Sequence, residues 1–274
     1  MHFKSFLLLA VAAAMVRPAF AQSDDFGIWS SLGAEKKITK AFSAEAAFDF
    51  RSGENLEQAT RWSGSLGLNY KVLPFLKVGA GYVYIHDYSG EETKVNLTPK
   101  GKVNGFNVDH GDWLDKHRVY FDLTGSMKLG RLKLSLRERY QFTHTGAYDV
   151  NRSRFRDEVQ DGYTGDSYEW MGQNFYDCTV GPDHKSSKDK HYLRTRVKAE
   201  YNIHHSPFNP FVSYELSNDL SDGLDLDKTR LVVGTEWKIT KQHVVSLGYL
   251  FQQQTDGKHE GKHHVLDIGY RFAF

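Results

Sequence analysis

The chain has 274 residues, of which 40% are hydrophobic and 25% charged, and its formal charge at pH 7 is +1. A charge this close to zero argues against a nucleic-acid partner, which needs a basic surface. The mean hydropathy of −0.55 and the lack of a long apolar stretch after residue 21 exclude a bundle of membrane-spanning helices. The single cysteine, Cys178, excludes an internal disulfide.

Residues 1–21 have the pattern of a secretory signal peptide. Lys4 gives a positive start, residues 6–16 form an apolar run, and Ala19 and Ala21 form an A-x-A cleavage site. The run is too short for a spanning helix, which needs roughly 20 residues. No cysteine lies directly after the cleavage site, so the sequence does not predict a lipid anchor there. We predict cleavage near Ala21 and one domain over residues 22–274.

Beyond the signal peptide, the chain repeats segments in which apolar and polar residues alternate. This is the period of a β-strand with one apolar face, and the segments have lengths that suit a bilayer. They lie at residues 42–51, 61–71, 76–85, 118–127, 132–142, 193–201, 212–216, 230–239, 245–252 and 263–274. The pattern predicts an all-β fold, a transmembrane antiparallel β-barrel of about 10–12 strands.

The connections alternate between short and long. Short ones are predicted at residues 38–40, 72–75, 128–131, 204–209 and 240–242, and long ones at 53–58, 89–112, 145–189, 219–227 and 255–261. Outer-membrane barrels have short periplasmic turns and long outer loops, so the two sets are assigned to opposite sides. The longest loop, residues 145–189, is interpreted as a binding loop or as a constriction inside the lumen.

The number of strands in the barrel depends on how residues 26–37 are assigned. Trp29 and Leu32 suggest a strand, and the segment ends in a short turn. Both termini of a bacterial barrel normally lie in the periplasm, which requires an even number of strands. The segment is therefore expected to lie inside or beside a ten-stranded barrel, or to belong to a barrel of twelve strands.

The last strand ends in an apolar row that contains Tyr270, Phe272 and Phe274. A chain that stops on such a row resembles the C-terminal signature of bacterial outer-membrane barrels, which the barrel-assembly machinery reads. The resemblance implies the outer membrane of a Gram-negative bacterium, with that machinery and outer-membrane lipid as partners. A monomer is favoured.

Three short motifs carry a second resemblance. They are WSSLG at residues 29–33 with Lys36 and Lys37, the strand that ends in Phe50 and Arg51, and LSLRERY at residues 134–140. Together they resemble a family of small outer-membrane barrels known only as a domain of unknown function. The likeness covers nearly the whole mature chain, but this family brings no activity or catalytic residues to transfer.

The inward rows contain many charged residues. A basic wall is predicted from Arg118, Lys133, Arg137, Arg139, Arg194, Arg196 and Lys198. Acidic residues are predicted to face it across the lumen: Glu45, Asp49, Glu236 and Asp267. One interpretation is a narrow channel whose transverse field orients a polar or anionic solute. The other is that these groups pair and fill a barrel too narrow to conduct.

Glu138 departs from the alternation, since it points toward lipid between Leu136 and Tyr140. A charge at the membrane midplane is costly. We expect a local shift of frame at this position, and a functional acid is the less favoured interpretation.

Two outer loops contain candidate metal ligands. One contains His259, Glu260, His263 and His264, and the other contains Asp219, Asp222, Asp225 and Asp227. Neither set has a recognised ligand spacing. Solvated loop tips are the favoured interpretation, and no metal or cofactor is predicted.

An enzyme would need a nucleophile and a base at the membrane surface. The nearest match is Ser206 with His204, but both lie in a predicted periplasmic turn and no third orienting group is evident. Trp113 and Trp170, in or beside outer loops, are expected to contact a ligand or to anchor at the interface. We therefore predict a non-enzymatic barrel that is a narrow channel for small polar or anionic solutes, and a lipid-modifying outer-membrane enzyme is the least favoured interpretation. The alternative is a non-conducting barrel that acts through its long outer loops.

Overall fold

The computed structural model describes residues 24–156, 167–170, 172–221, 223–255 and 261–274. The predicted signal peptide, residues 1–21, lies outside these ranges, so its cleavage stays a prediction. Strands make up most of the described chain and are numbered β1 to β16 in chain order. Within the described ranges, no helix is long and apolar enough to cross a membrane.

Eleven strands close into a barrel, which confirms the predicted fold class and the predicted range of 10–12 strands. In their order around the wall, they are β1 (Asp24–Lys37), β16 (Gly261–Ala273), β15 (His243–Gln254), β14 (Asp225–Lys238), β13 (Phe208–Asp219), β12 (Lys188–Tyr201), β8 (Leu132–Thr145), β7 (Trp113–Leu129), β4 (Leu76–Tyr88), β3 (Gln58–Leu73) and β2 (Phe42–Gly53), which returns to β1.

The barrel wall separates an apolar outer face from a polar interior. On the outside, Leu66, Phe121 and Leu247 are 66%, 58% and 46% exposed. Inward side chains such as Asn69 and Glu215 are buried. A water-soluble protein would bury the apolar row and expose the charged one. The exposed apolar face is therefore that of a barrel surrounded by lipid.

The barrel closes through a parallel pair of strands. β1 pairs in antiparallel fashion with β2, where Trp29 lies opposite Arg51, and in parallel fashion with β16, where Trp29 lies opposite Asp267. Both expectations for residues 26–37 were therefore wrong, because the segment is an eleventh wall strand. Without β1, the facing edges of β2 and β16 would carry unpaired backbone groups unless they met directly.

Asp25 fastens the start of β1 to its neighbours. Its Oδ1 accepts a hydrogen bond from the Asn55 backbone N at 2.9 Å, and its Oδ2 lies 3.1 Å from His263 Nδ1. Asn55 in turn accepts a hydrogen bond from the Phe26 backbone N at 3.3 Å. These contacts hold the first residues of β1 at the end of the barrel where β2 ends and β16 begins.

The connections define two ends of the barrel, as the sequence predicts. The turn end has the short connections at residues 38–41, 74–75, 130–131, 202–207 and 239–242. The loop end has the others, of which the one between β2 and β3 contains a 3₁₀ turn at Glu54–Leu56. Because β1 starts beside that turn and ends at residue 37, the chain enters the barrel at the loop end.

The two longest connections at the loop end form a second sheet, which corrects the prediction of loops at residues 89–112 and 145–189. Its five strands, in spatial order, are β10 (Ser167–Trp170), β11 (Gln173–Lys185), β9 (Tyr148–Arg156), β6 (Val103–Asp109) and β5 (Glu92–Leu97). We call it the loop-end sheet. It lines neither of the lumen cavities described below. The constriction of the lumen by residues 145–189 stays a prediction.

Glu138 keeps the regular frame of its strand, so the expected shift was wrong. The register of β8 with β7 and with β12 runs without a break, placing Glu138 opposite Leu123 and Thr195. The Thr195 hydroxyl donates a hydrogen bond of 2.8 Å to the Glu138 carboxylate. The outward carboxylate thus has a neighbouring hydroxyl as its partner, which lowers the cost of placing it on the apolar face.

The parallel closure predicts that the first barrel strand begins on one side of the membrane and that the last barrel strand ends on the other side. In sealed vesicles, a peptide tag inserted before Asp24 should lie on the same side as a tag inserted at Glu54, and on the opposite side from a tag inserted at Lys241. Antibody or protease access to each tag measures this. An even-stranded barrel would instead place the tag before Asp24 with the tag at Lys241.

Candidate functional site

Glu215, on β13, lies at the centre of a group of arginines inside the barrel. Its carboxylate accepts hydrogen bonds from Arg137 Nη2 at 2.9 Å and from Arg194 Nε at 3.1 Å, and Arg230 Nη1 lies 3.4 Å away. Only 6% of Glu215 is exposed. The arginines come from β8, β12 and β14, so one carboxylate joins four strands through charge-assisted hydrogen bonds, which are stronger than neutral ones.

Trp29 extends this group across the lumen. Its ring centroid lies 3.9 Å from Arg51 Cζ and 5.1 Å from Arg230 Cζ. Because β15 and β16 separate Arg230 from Trp29 in the wall, this contact crosses the interior. A cation over an indole face stabilises by about 0.5–2 kcal/mol. We call the series Arg137, Glu215, Arg230, Trp29 and Arg51 the first bridge.

A second bridge follows the other side of the lumen. The Tyr120 hydroxyl, from β7, donates a hydrogen bond of 3.2 Å to Glu45 on β2, and Arg139 Cζ lies 4.0 Å from the Tyr120 ring centroid. The phenol passes over Gly67 and Gly81, where a Cβ would lie 2.6 Å and 2.4 Å from it. Glycine at these two positions leaves room for the ring. Both bridges therefore join β8 to β2.

The lumen contains a middle cavity of about 190 Å³ beside the first bridge. Asp49 and Asp267 line it from β2 and β16, and Arg196 lines it from β12. In the described chain, none of these three side chains has an ion-pair partner within 4.0 Å. An acidic wall thus faces a basic wall. A turn-end cavity of about 200 Å³ lies at the other side of Arg196, beside Lys198.

All eleven predicted lumen residues lie at inward-facing positions of the strands, but most are paired instead of facing an open channel. Five of the seven basic residues have carboxylate partners: Arg137 and Arg194 with Glu215, Arg139 with Asp122 at 2.6 Å, Lys198 with Glu236 at 2.7 Å, and Lys133 with Glu200 at 3.9 Å. Arg118 donates a hydrogen bond to Thr143 at 2.9 Å. Among the basic and acidic residues that were predicted to face each other across the lumen, Lys198 and Glu236 are in direct contact.

Sequence reasoning missed four residues that organise the lumen. Glu215 and Arg230 lie in inward rows that the alternation identifies, so a signal for them existed. Trp29 lies on the strand whose place in the barrel was not predicted. Nothing in the pattern indicates that Tyr120 reaches Glu45, because alternation gives the direction of a side chain and not its partner across the lumen.

The loop-end sheet has its own small core, which makes it a second candidate site. Phe106 and Phe175 are fully buried, and the Phe106 ring stacks on Phe155 with centroids 4.5 Å apart. At the edge strand β5, Val95 and Leu97 remain exposed. An edge strand with exposed apolar side chains is a suitable surface for a binding partner.

Asp109 joins three strands of the loop-end sheet. The Arg152 guanidinium donates to both carboxylate oxygens, one of the contacts being 2.8 Å, and Lys185 Nζ donates at 2.9 Å. The hydrogen bonds from Arg152 hold the pKa of the Asp109 carboxyl well below its usual range. Asp183 accepts from Lys185, and that hydrogen bond also lowers the pKa of Asp183.

The two metal candidates are not assembled in the described residues. His263 faces Asp25, whereas His264 contacts Tyr249 on the outer face, because neighbouring residues of a strand point to opposite sides. His259, Glu260 and Asp222 lie outside the described residues. Within the ranges that the structure describes, no group of three or more His, Cys, Asp or Glu side chains could hold a metal ion.

The predicted nucleophile and base are not arranged as a pair. Ser206 Oγ accepts a hydrogen bond of 3.1 Å from the Phe208 backbone N, and the His204 ring lies against His205 with centroids 3.7 Å apart. Trp113 stacks on His86 with centroids 4.7 Å apart, a position that suits an anchor at the membrane interface. The side chain of Trp170 lies outside the described part.

Comparison with known proteins finds a family and a solved structure that are similar to this chain. A family model described as "Protein of unknown function (DUF2490)" matches residues 26–262, which agrees with the resemblance seen in the sequence. No protein with a curated function matches the chain. Among solved structures, the outer membrane protease OmpT from Escherichia coli is similar over 80% of this chain and 80% of that chain, with a TM-score of 0.42 and 8% sequence identity.

Substitution of Glu215 tests the first bridge. Glu215→Gln should lower the free energy of unfolding by about 3 kcal/mol, because it leaves three lumen arginines without their shared counter-charge. Thermal unfolding of the purified barrel in detergent, followed by circular dichroism, measures the change. Glu92→Gln, which removes an exposed partner of Lys94, should change it little. Equal melting temperatures for Glu215→Gln and the unchanged protein would contradict the bridge.

Acidification tests the Asp109 contacts. A carboxyl whose pKa is lowered in the folded state stabilises that state fully above its unfolded pKa of about 4, and this contribution is lost as the pH falls further. Amide exchange in β6 and β9, corrected for intrinsic rates, should therefore stay constant from pH 5 to 8 and rise below about pH 4. Asp109→Asn should show faster exchange already at pH 7, whereas Asp149→Asn, which removes an exposed partner of His184, should not.

Proposed function

Because the chain belongs to a family of proteins of unknown function (DUF2490), we propose its function from the geometry alone: a closed, non-conducting outer-membrane barrel that presents the loop-end sheet to a binding partner. The signal peptide predicted over residues 1–21 and the predicted assembly signal of Tyr270, Phe272 and Phe274 support delivery to the outer membrane through the barrel-assembly machinery. The apolar outer face supports direct contact with lipid. The proposed state is a monomer.

The two bridges carry this proposal. Eleven strands about 4.8 Å apart and tilted by roughly 40° enclose a cylinder about 22 Å wide between backbone atoms. Arginine and tyrosine side chains that extend inward from opposite walls fill much of that width. The first bridge crosses the lumen through Glu215 and Trp29, and the second crosses through Tyr120 and Glu45. Hydrated ions would have to break charge-assisted contacts to pass.

A gated channel is the second candidate, and the middle cavity favours it. Arg196 on one wall and Asp49 and Asp267 on the other line this cavity without ion-pair partners of their own in the described chain. Such walls would orient a small polar or anionic solute once the bridges opened. Neither proposal includes an enzymatic role. Ser206 Oγ accepts a hydrogen bond from the Phe208 backbone N, and the His204 ring lies against His205.

Planar-bilayer recording separates the two candidates. The unchanged protein should give no single-channel steps, because both bridges are closed at rest. A Glu215→Ala/Tyr120→Ala variant should give stable steps, since it removes the centre of each bridge. Glu92→Gln, at the loop end, should remain silent and controls for damage during purification. Regular conductance from the unchanged protein would overturn the closed barrel and favour the channel.

A further inference from the structure

The turn end of the barrel carries an excess of positive charge. The five turns there contain no acidic residue. Eight cations also occupy inward-facing positions near this end, and we call them the turn-end ring: Lys37, Lys71, Lys77, Lys128, Lys133, Lys198, Lys238 and Arg271. Inward acidic side chains at the same level are fewer: Glu35, Glu45, Glu200 and Glu236. The mouth of the lumen is therefore strongly cationic.

The ring contains like charges placed directly opposite one another. Lys71 pairs with Lys77 across β3 and β4, and Lys128 pairs with Lys133 across β7 and β8. Directly opposed like charges destabilise a sheet. Serine or asparagine, which occupies neighbouring inward positions such as Ser135, would avoid this repulsion. A charge pattern that lowers stability is expected where the charges serve binding.

The turn-end cavity lies within this ring. Four of its lining residues are cations and two are carboxylates, so the lining carries a formal charge of +2. Glu200 lies 3.9–4.0 Å from Lys133, Lys198 and Lys238, which are ion-pair distances beyond the range of hydrogen bonds. Glu200 is thus shared by three ammonium groups, of which Lys198 also donates to Glu236 at 2.7 Å. These ammonium groups surround a cavity of about 200 Å³.

We infer that the turn-end cavity binds a small multivalent phosphate-type anion. Lysine is a common phosphate ligand because its compact charge and three donors adapt to oxygen atoms in several directions. The lysines point into the lumen and not toward the surrounding lipid, which favours a soluble anion over a phospholipid headgroup. The first bridge lies between this cavity and the loop end, so the anion would enter from the turn end. Only the side of entry rests on the closed-barrel proposal; the binding of the anion in the cavity does not.

Isothermal titration with pyrophosphate tests this site on the purified barrel in zwitterionic detergent. One saturable site is expected, with an affinity that falls as salt is added. Lys133→Gln/Lys238→Gln should weaken binding at least tenfold, because it removes two of the three ammonium groups around Glu200. The control Lys40→Gln/Lys241→Gln removes the same charge from the turns of the same end and should bind within twofold of the unchanged protein.

Three results would overturn the site. The first is that pyrophosphate shows no saturable binding. The second is that both double variants lose affinity for pyrophosphate to the same extent. The third is that the ring lysines retain an anionic phospholipid and do not bind pyrophosphate. Melting temperatures give an independent check. Lys71→Gln and Lys128→Gln should each raise the melting temperature in the absence of pyrophosphate, because each removes one member of an opposed lysine pair.

Discussion

The pairing of β1 with both β2 and β16 is the interaction on which the rest of the structure depends. In lipid, every backbone N–H and C=O group must find a partner within the protein, so an open edge is not tolerated. β1 satisfies the edge of β2 in antiparallel register and the edge of β16 in parallel register. This closure fixes the number of strands at eleven, sets the width of the lumen and brings Trp29 to the inner face opposite Arg230.

The width of the lumen explains why its charges are paired. A barrel much narrower would exclude arginine from its interior, and a porin-sized barrel would leave arginines hydrated on separate walls. At eleven strands, inward side chains reach partners two or three strands away, as the Arg137 guanidinium reaches Glu215 and the Tyr120 hydroxyl reaches Glu45. Buried charges of this kind are stable only when they are paired. The same contacts that stabilise the interior therefore also cross the lumen.

The two ends of the barrel differ in chemistry. At the loop end, paired opposite charges around Asp109 and an aromatic core around Phe106 build an additional sheet. At the turn end, opposed lysines surround the lumen with few carboxylates. Because the chain as a whole has a formal charge of +1, this local excess must be balanced by net negative charge elsewhere. The excess of cations is thus a local feature of the turn end.

Sequence alone determined the features that depend on local order. The alternation around Leu66, Phe121 and Leu247 fixed which side chains face lipid, because successive residues of a strand point to opposite faces. It likewise placed Arg137, Arg194 and Asp267 inside. Only the tertiary structure decided the partners of these residues, the parallel closure by residues 26–37 and the sheet formed by predicted loops. Each of these depends on contacts between residues far apart in the chain, whose distances follow from how the barrel closes and not from the period of any one strand.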